Sequence, residues 1–141
     1  MERLAACFVV VIGLASGACS GNSPTGPDAY TDSRSGSVGG SSLTVIQGAS
    51  VDLTAPRAGT LTANLTWGSG AVDLDLFLTN TSCANETALI AGNCSILSRS
   101  EGSVGTSERI TQSVNSGQAL RLWVLNFSPT SQSFTINVDI R

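Results

Sequence analysis

The sequence predicts an all-β domain, an antiparallel sandwich or barrel, from three observations. Apolar and polar residues alternate with a period of two in several short runs, which is the pattern of half-buried strands. Gly, Pro, Asn and Ser separate these runs, as expected for tight turns. No window has the 3.6-residue periodicity of an amphipathic helix. With 141 residues, the chain suits one domain rather than two.

The strands are predicted from residue 43 onward. The runs SLTVIQ and ASVDLTA flank Gly48, and Pro56 ends the second. The next run, GTLTANLTW, alternates strictly and points one face inward through Leu61, Ala63, Leu65 and Trp67. After the turn GSG, the run AVDLDLFLT points Val72, Leu74, Leu76 and Leu78 to one face. The opposite face of that strand carries Asp73, Asp75 and Phe77.

Three further runs complete the domain. The run ERITQSV is a weaker strand, and ALRLWVLNF is apolar on both faces, which predicts a central strand. The last run, SFTINVDIR, alternates again, with Phe134, Ile136, Val138 and Ile140 facing inward. The large side chains expected in the core are Trp67, Trp123, Phe134, Phe77 and Phe127.

The N-terminus has the features of an export signal. Arg3 precedes an apolar run from Leu4 to Leu14, which is too short for a membrane-spanning helix and has the length of a signal peptide. Small residues then lead to Cys19, as in a bacterial lipoprotein signal whose cysteine carries the lipid. The alternative is an ordinary secretory signal cleaved near Ala18. We predict residues 1–18 as signal peptide, and an exported protein held at the cell envelope, on the outer membrane if the organism has one.

The segment from residue 19 to residue 42 is predicted to be a lipidated Cys19 followed by a tether. It is rich in Ser, Gly and Pro and has almost no apolar side chains. Such a segment buries too little surface to offset the entropy cost of ordering it. The folded domain is therefore expected to comprise residues 43–141.

Cys83 and Cys94 are predicted to form a disulfide. They are the only cysteines besides Cys19 after loss of the signal peptide, and the envelope is oxidising. A bridge over this short loop stabilises a domain by roughly 3 kcal/mol. The alternative, two free thiols that bind a metal, has no further ligands nearby in the sequence.

The composition excludes several functional classes. The net charge is −3, so no basic field attracts a nucleic-acid backbone. The chain has no His, which removes the usual general base, the usual activator of a Ser nucleophile and the imidazole metal ligands. We therefore expect no enzyme activity and no obligatory cofactor.

The stretch GTLTANLTWGSGAVDLDLFL, followed later by SGQALRLWVLNF and SFTINV, resembles the bacterial pre-peptidase C-terminal domain. The collagen-binding domains of bacterial collagenases are similar. The resemblance covers about residues 43–141 and is most specific in the Asp-Leu-Asp-Leu strand. It implies a single, jelly-roll-like antiparallel β-sandwich of about seven to eight strands that binds another molecule.

Asp73 and Asp75 leave three interpretations open. The plain one is that they form the solvated face of a strand, or accept hydrogen bonds from loops and Arg side chains. The second is a Ca²⁺ site, which requires six to eight oxygen ligands and a third acid such as Asp52 or Glu86. The third is the carboxylate pair of a hydrolase, since residues i and i+2 of a strand lie about 6.6 Å apart.

The combined sequence observations predict a lipid-anchored, non-catalytic module that binds a protein or a polysaccharide or acts structurally. The alternative functions are an accessory or chaperone-like partner of a secreted protein, and a carboxylate-dependent hydrolase. The expected partners are the membrane, through the lipid, and a protein or polysaccharide ligand, with no nucleic acid.

Overall fold

A computed structural model describes residues 29–103 and 105–141. The chain forms eight strands and one short helix. In chain order they are β1 (Tyr30–Val38), β2 (Gln47–Thr54), β3 (Gly59–Trp67), β4 (Leu74–Asn80), α1 (Glu86–Ile90), β5 (Ile96–Ser100), β6 (Ser107–Val114), β7 (Ala119–Asn126) and β8 (Gln132–Ile140).

The strands form two antiparallel four-stranded sheets packed face to face. The first sheet has the order β1-β8-β3-β6 and the second has the order β2-β7-β4-β5. Successive strands lie in different sheets except for β4 and β5, which pair with each other, and this order is that of a jelly roll. The prediction of an all-β antiparallel sandwich is confirmed.

The inner core lies between the two sheets and follows the predicted alternation. The inward residues of β3, β4 and β8 are buried as predicted, and β7 lies between β2 and β4 as a central strand. Its inward members are Leu120, Leu122 and Val124. Trp67 closes one end of this core and donates from its indole N–H to the carbonyl of Val72 at 2.9 Å.

The predicted tether is wrong for its C-terminal part. Strand β1 (Tyr30–Val38) falls inside residues 19–42 and pairs along its whole length with β8. Its side chains are small where the ring of Phe134 lies against it: a Cβ at Gly36 would come 2.8 Å from Phe134 Cζ. Strand β1 therefore needs little apolar surface of its own, because it covers side chains supplied by β8.

Residues 1–28 lie outside the described part of the chain, and with them the predicted signal peptide, Cys19 and the start of the tether. Between Val38 and β2, the predicted run SLTVIQ is a turn-rich loop rather than a strand until Gln47. Helix α1 and strand β5 lie in a region for which the sequence predicted only a loop. In residues 29–103 and 105–141, no helix is long and apolar enough to cross a membrane.

Candidate functional site

The outer face of the second sheet is unusual in being apolar. Phe77 of β4 and Trp123 and Leu125 of β7 point away from the inner core and are buried. With Cys83 and Leu89 they form a second hydrophobic group, which we call the outer cluster. A sheet face that is covered in this way needs a further layer of chain above it, and here helix α1 and the disulfide loop supply that layer.

Helix α1 is only five residues long, so it depends on its ends and on packing. The side chain of Asn85 caps it and accepts a hydrogen bond from the backbone N–H of Ala88 at 2.9 Å. Leu89 is the buried residue of the helix and packs on the outer cluster. The Cys83–Cys94 disulfide brackets the segment, with a Cα–Cα distance of 5.2 Å, which confirms the predicted bridge.

Hydrogen bonds from Arg121 link the start of the disulfide loop, at Cys83, to the second sheet. Its guanidinium forms a two-pronged ion pair with Asp52, at 2.5 and 2.7 Å, and donates to the carbonyl of Cys83 at 2.7 Å. The same group lies over the ring of Trp123, 5.6 Å from its centroid. The hydrogen bonds from Arg121 hold the pKa of the Asp52 carboxyl below its usual range.

Gly48 allows α1 to approach the sheet closely. A Cβ at this position of β2 would lie 2.9 Å from Glu86 Cβ and 2.9 Å from Leu125 Cδ2. The contact with Glu86 Cβ would require α1 to move, whereas the methyl group of Leu125 on β7 can move aside. A glycine therefore favours the close approach of α1 where β2 passes beneath it.

An apolar groove opens beside α1, above the sheet. Its floor is formed by Phe77 and Leu125, one wall by the helix and the other by β5, with a volume of about 290 Å³. We define the apolar groove by Ile46, Phe77, Ile90, Ile96, Leu125 and Phe127. Arg99 and Glu101, joined by an ion pair at 3.1 Å, lie at its rim. This size and lining are typical of a small binding site.

Five large apolar side chains are exposed in the described residues, and three of them, Ile90, Ile96 and Phe127, line this groove. The other two are Leu43 and Val45. Ile90 contributes both to the apolar groove and to a second depression lined by Val45, and Leu43 lies on the same loop as Val45. Phe127 is 44% exposed, so its predicted place in the core is wrong. Contiguous patches of exposed apolar side chains are typical of interaction surfaces in soluble proteins.

Asn126 holds the two loops at the groove end of the sandwich. Its buried amide N–H groups donate to the carbonyls of Gly39 at 2.9 Å and Thr130 at 2.8 Å. Its side-chain oxygen accepts from the backbone N–H of Ser128 at 2.8 Å. The backbone carbonyl of Asn126 accepts from Ser41, whose hydroxyl also accepts from the N–H of Gln47 at 2.7 Å. This network positions Phe127 and the loop that carries Val45.

The predicted carboxylate pair lies next to the apolar groove. Asp75 directly precedes the groove floor on β4, two residues before Phe77, and pairs across the sheet with Leu125. It is only 8% exposed. Burial, and then the nearby charges of Asp73, Glu101 and Glu108, raise the pKa of Asp75 to about 7, while the backbone N–H of Gly102 opposes this rise.

We call Asp73, Asp75, Glu101 and Glu108 the carboxylate cluster. Glu108 is buried and accepts from the Ser100 hydroxyl. The Oδ1 atom of Asp73 is buried without a hydrogen-bond partner. The backbone of Asp73 is well held: its carbonyl accepts from Phe127 N–H at 2.9 Å and its N–H donates to Ser128 Oγ at 2.8 Å.

Of the plain interpretation, solvation is therefore wrong for Asp75, whereas the other half, a hydrogen bond from a neighbouring loop, is found at Asp75 with the backbone N–H of Gly102. The loop at Gly102 and the outer cluster cover this face of β4, so the carboxylate is removed from water. The acids that approach it are Glu101 and Glu108, which the sequence did not indicate, rather than Asp52 or Glu86. Asp52 is held by Arg121, and Glu86 lies over Gly48. In the part of the chain described, no group of three or more His, Cys, Asp or Glu side chains has the arrangement of a metal site.

The first sheet contrasts with this region. Its outward side chains are mostly Thr, Ser and Asn, and the cross-strand pairs include Asn64 with Asn137 and Thr62 with Asp139. Shallow depressions on this face are lined by such residues together with Arg109 and Arg141. Trp67 and Trp123 are both buried, as predicted, so neither provides this face with an aromatic platform.

No protein-family model and no curated protein sequence matches the chain. Among solved structures, the chain is similar to the Yersinia pseudotuberculosis-derived mitogen, with a TM-score of 0.54 and 15% sequence identity. The match covers 81% of this chain and 88% of the mitogen chain. At this identity, the similarity shows the β-sandwich fold alone.

Proposed function

We propose that the protein is an exported, lipid-anchored, non-catalytic module that binds another protein through the apolar groove. The observation that carries this proposal is that three of the five large apolar side chains left exposed in the described residues, Ile90, Ile96 and Phe127, line one groove. A soluble domain of this size gains nothing in stability from such a patch, and loses solubility through it, unless a partner covers it.

The arrangement of the surrounding elements supports the proposal. The groove wall is a helix held by a disulfide, a cap and the Arg121 contacts, and the groove floor is a central pair of strands. A site built in this way is already formed before its ligand arrives, so binding costs little ordering entropy.

The export and anchoring part of the proposal rests on the sequence around Cys19. It is tested by Cys19→Ser, which should release the protein from membranes or leave it unprocessed. Fractionation with membranes in high salt by the Cys19→Ser protein would refute the anchor.

The binding part is tested with the immobilised protein and envelope extracts. Proteins retained by the unchanged protein should be lost with Ile90→Ser combined with Phe127→Ser. The matched control is Thr62→Ser combined with Thr111→Ser on the outer face of the first sheet, which should retain them. Equal retention by both double variants would contradict a role of the groove.

A second candidate function is favoured by one observation. A buried carboxyl group whose pKa is near 7, beside other carboxylates, has the character of a general acid, so a hydrolase that uses Asp75 with Asp73 is the alternative. Hydrolysis of a protein or polysaccharide by the purified protein, lost in Asp75→Asn, would establish it. An accessory or chaperone-like role for a secreted protein would use the same groove and would appear as a retained partner.

A further inference from the structure

Strand β1 is an edge strand of the first sheet, and it pairs with β8 alone among the described strands. The pairing runs in one unbroken register over all nine residues of β1. The backbone N–H of Ser33 bonds to the Asp32 carboxylate rather than to β8. Because alternate residues of an antiparallel strand direct their N–H and C=O groups to opposite edges, every second residue, counted from Ser33, directs them away from β8. These residues are Thr31, Ser33, Ser35 and Ser37.

The free edge of β1 is therefore a row of backbone groups that a further strand can join. The opposite side of the sandwich differs, because side chains connect the edge strands β5 and β6 there. The Ser98 hydroxyl of β5 donates to the carbonyl of Thr111 in β6 at 3.1 Å, and Ser100 bonds to the Glu108 carboxylate. In the described residues, no comparable bond joins the free edge of β1 to a neighbouring strand.

Two opposite charges on β1 restrict which strand can join it. Asp32 and Arg34 lie two residues apart on the inner face, since Val138 and Ile136, their partners on β8, belong to the inner core. Inward-pointing charges at a sheet edge deter an unrelated strand, which would leave them without partners. A second β1 in antiparallel orientation instead supplies the complementary charge at each of the two positions.

We propose that two copies of the protein pair through β1, antiparallel about a two-fold axis at Ser33, so that their first sheets become one continuous sheet. In this register Asp32 of each copy lies opposite Arg34 of the other. A two-fold axis at Asp32 or at Arg34 would instead place like charges opposite each other, which destabilises a strand pair. The interface lies on the first sheet, away from the apolar groove, and goes beyond the proposed function.

The charges remain available although Asp32 and Arg34 already meet within one chain. That contact uses the Nε atom of Arg34, 2.8 Å from Asp32 Oδ2, and leaves the Arg34 side chain 52% exposed. In the part of the chain described, the two terminal nitrogens of Arg34 have no bonded acceptor. A guanidinium group has five N–H donors, so these nitrogens can bond to Asp32 of the second copy while Nε keeps its own contact.

The shapes of the side chains suit the same register. It places Tyr30, which packs on the inner core, opposite the exposed Gly36 of the second copy. An aromatic ring that lies over a glycine of a neighbouring strand covers its exposed backbone. On the outer face the opposed residues are Thr31, Ser33 and Ser35, whose short side chains do not hinder the approach of the two strands.

The register is tested by cysteine crosslinking of the purified protein with a mild oxidant. The two Ser33 Cα atoms would lie about 5.5 Å apart, as in a hydrogen-bonded antiparallel pair. This separation is within the range of a disulfide, so Ser33→Cys should give a covalent dimer on non-reducing gels. Thr31→Cys and Ser35→Cys are the register controls. Each lies about 13 Å from its equivalent in the second copy and should give no more dimer than the unsubstituted protein.

Charge selection is tested in the Ser33→Cys protein. Asp32→Arg should lower the yield of covalent dimer roughly tenfold, because each Arg34 then faces an arginine. Asp32→Arg combined with Arg34→Asp should restore the yield, because the exchange keeps opposite charges opposed. The matched control is Asp139→Arg, which reverses one charge of the ion pair with Arg141 at 2.8 Å on β8 and should leave the yield unchanged.

The expected result is a dimer from position 33 that is lost on charge reversal and regained on charge exchange. No dimer from Ser33→Cys, or equal yields from positions 31, 33 and 35, would overturn the inference. A yield that is insensitive to Asp32→Arg, or that the exchange does not restore, would overturn the charge-selected register. None of these results bears on the retention experiment with envelope extracts, which tests the apolar groove separately.

Discussion

The two sheets of this sandwich have outer faces of opposite character. The outward side chains of the first sheet are short, polar and largely exposed, and no further layer covers them in the described residues. The outward side chains of the second sheet include Phe77, Trp123 and Leu125, which are buried beneath α1. The polar outer face of the first sheet is exposed to solvent. The apolar outer face of the second sheet is covered by α1, which the Cys83–Cys94 disulfide brackets. The helix covers this face only in part, and the apolar groove remains open beside it.

The difference between the two outer faces indicates which of them is the better candidate for a binding site. A polar sheet face is the ordinary solvent side of a sandwich. An apolar face that is covered by a five-residue helix and a disulfide is less stable than two packed sheets, and it is retained here with exposed Ile90 and Phe127 at its margin. This difference in the exposure of apolar side chains is the reason for proposing the outer face of the second sheet as the binding face.

The largest expected effect on the outer layer comes from the disulfide. Cys83→Ala combined with Cys94→Ala should destabilise the protein by about 3 kcal/mol in urea unfolding. Hydrogen exchange should show earlier loss of protection in α1 than in β3 or β8, because the inner core keeps its contacts. Unchanged protection of α1 would show that the helix is held by packing alone.

The second largest effect on stability is expected at Asn126, at the end of the sandwich beside the groove, when it is compared with a residue of the first sheet. Asn126→Ala should cost about 2 kcal/mol, because it leaves the carbonyls of Gly39 and Thr130 and the N–H of Ser128 without partners. The matched control is Asn137→Ala, whose exposed side chain accepts one hydrogen bond from Ser33 and should cost less than about 0.5 kcal/mol. Similar losses of unfolding free energy in the two variants would show that Asn126 does not hold the two loops in place.

The third effect depends on pH. Because the pKa of Asp75 is about 7 in the folded protein and near 3.8 when unfolded, the folded state holds the proton more tightly. Stability is therefore full below pH 4, falls as the pH rises to about 7, and stays reduced above it. Asp75→Asn should remove this loss and stabilise the protein at pH 8 on the order of 1 to 2 kcal/mol, with no gain at pH 4.

The control for the pH effect is Asp139→Asn, which removes a carboxylate paired with Arg141 at 2.8 Å on the first sheet. It should give no stabilisation at pH 8. Thermal melts of both variants at pH 4 and pH 8 provide the comparison. A gain at pH 8 for Asp139→Asn as large as that for Asp75→Asn would point to the overall net charge rather than the carboxylate cluster.

The smallest expected effect concerns calcium. We expect the melting temperature to be the same in millimolar Ca²⁺ and in chelator, because Asp52 is paired with Arg121 and Glu86 lies over Gly48 on β2 rather than beside Asp75. A rise with Ca²⁺ that is lost in Asp73→Asn combined with Asp75→Asn would establish a site in the carboxylate cluster.

The sequence predicted the sandwich well where burial imposes alternation. Strands β3 and β8 bury every second side chain, so their pattern was readable. Strand β4 alternates in sequence between apolar and polar residues but is buried on both faces, so only its inward face was predicted correctly. Strand β1 was missed because it is an edge strand whose inner surface is largely supplied by Phe134. A strand of this kind shows Ser and Gly where the pattern demands apolar residues, and it therefore resembles a tether.

The groove was not predictable because its parts are distant in the sequence. Ile46, Ile90 and Phe127 come from three separate segments, and only the fold brings them together. Helix α1 is too short to show a helical period, and Asn85 as its cap was the one local signal. Asp73 and Asp75 were identified as a pair, but the groups that act on Asp75, the Gly102 N–H and the Glu108 carboxylate, come from segments that no local pattern links to β4.

The most direct test of protein binding at the apolar groove is site-specific photo-crosslinking in cells. A photoreactive phenylalanine analogue replaces Ile90 in one strain and Thr62 in another, so that the two outer faces are compared in the same protein. We expect a crosslinked adduct with another protein from position 90 that is reduced by Phe127→Ser, and none from position 62. An adduct of equal yield from position 62, or none from position 90, would contradict the assignment of binding to the apolar groove.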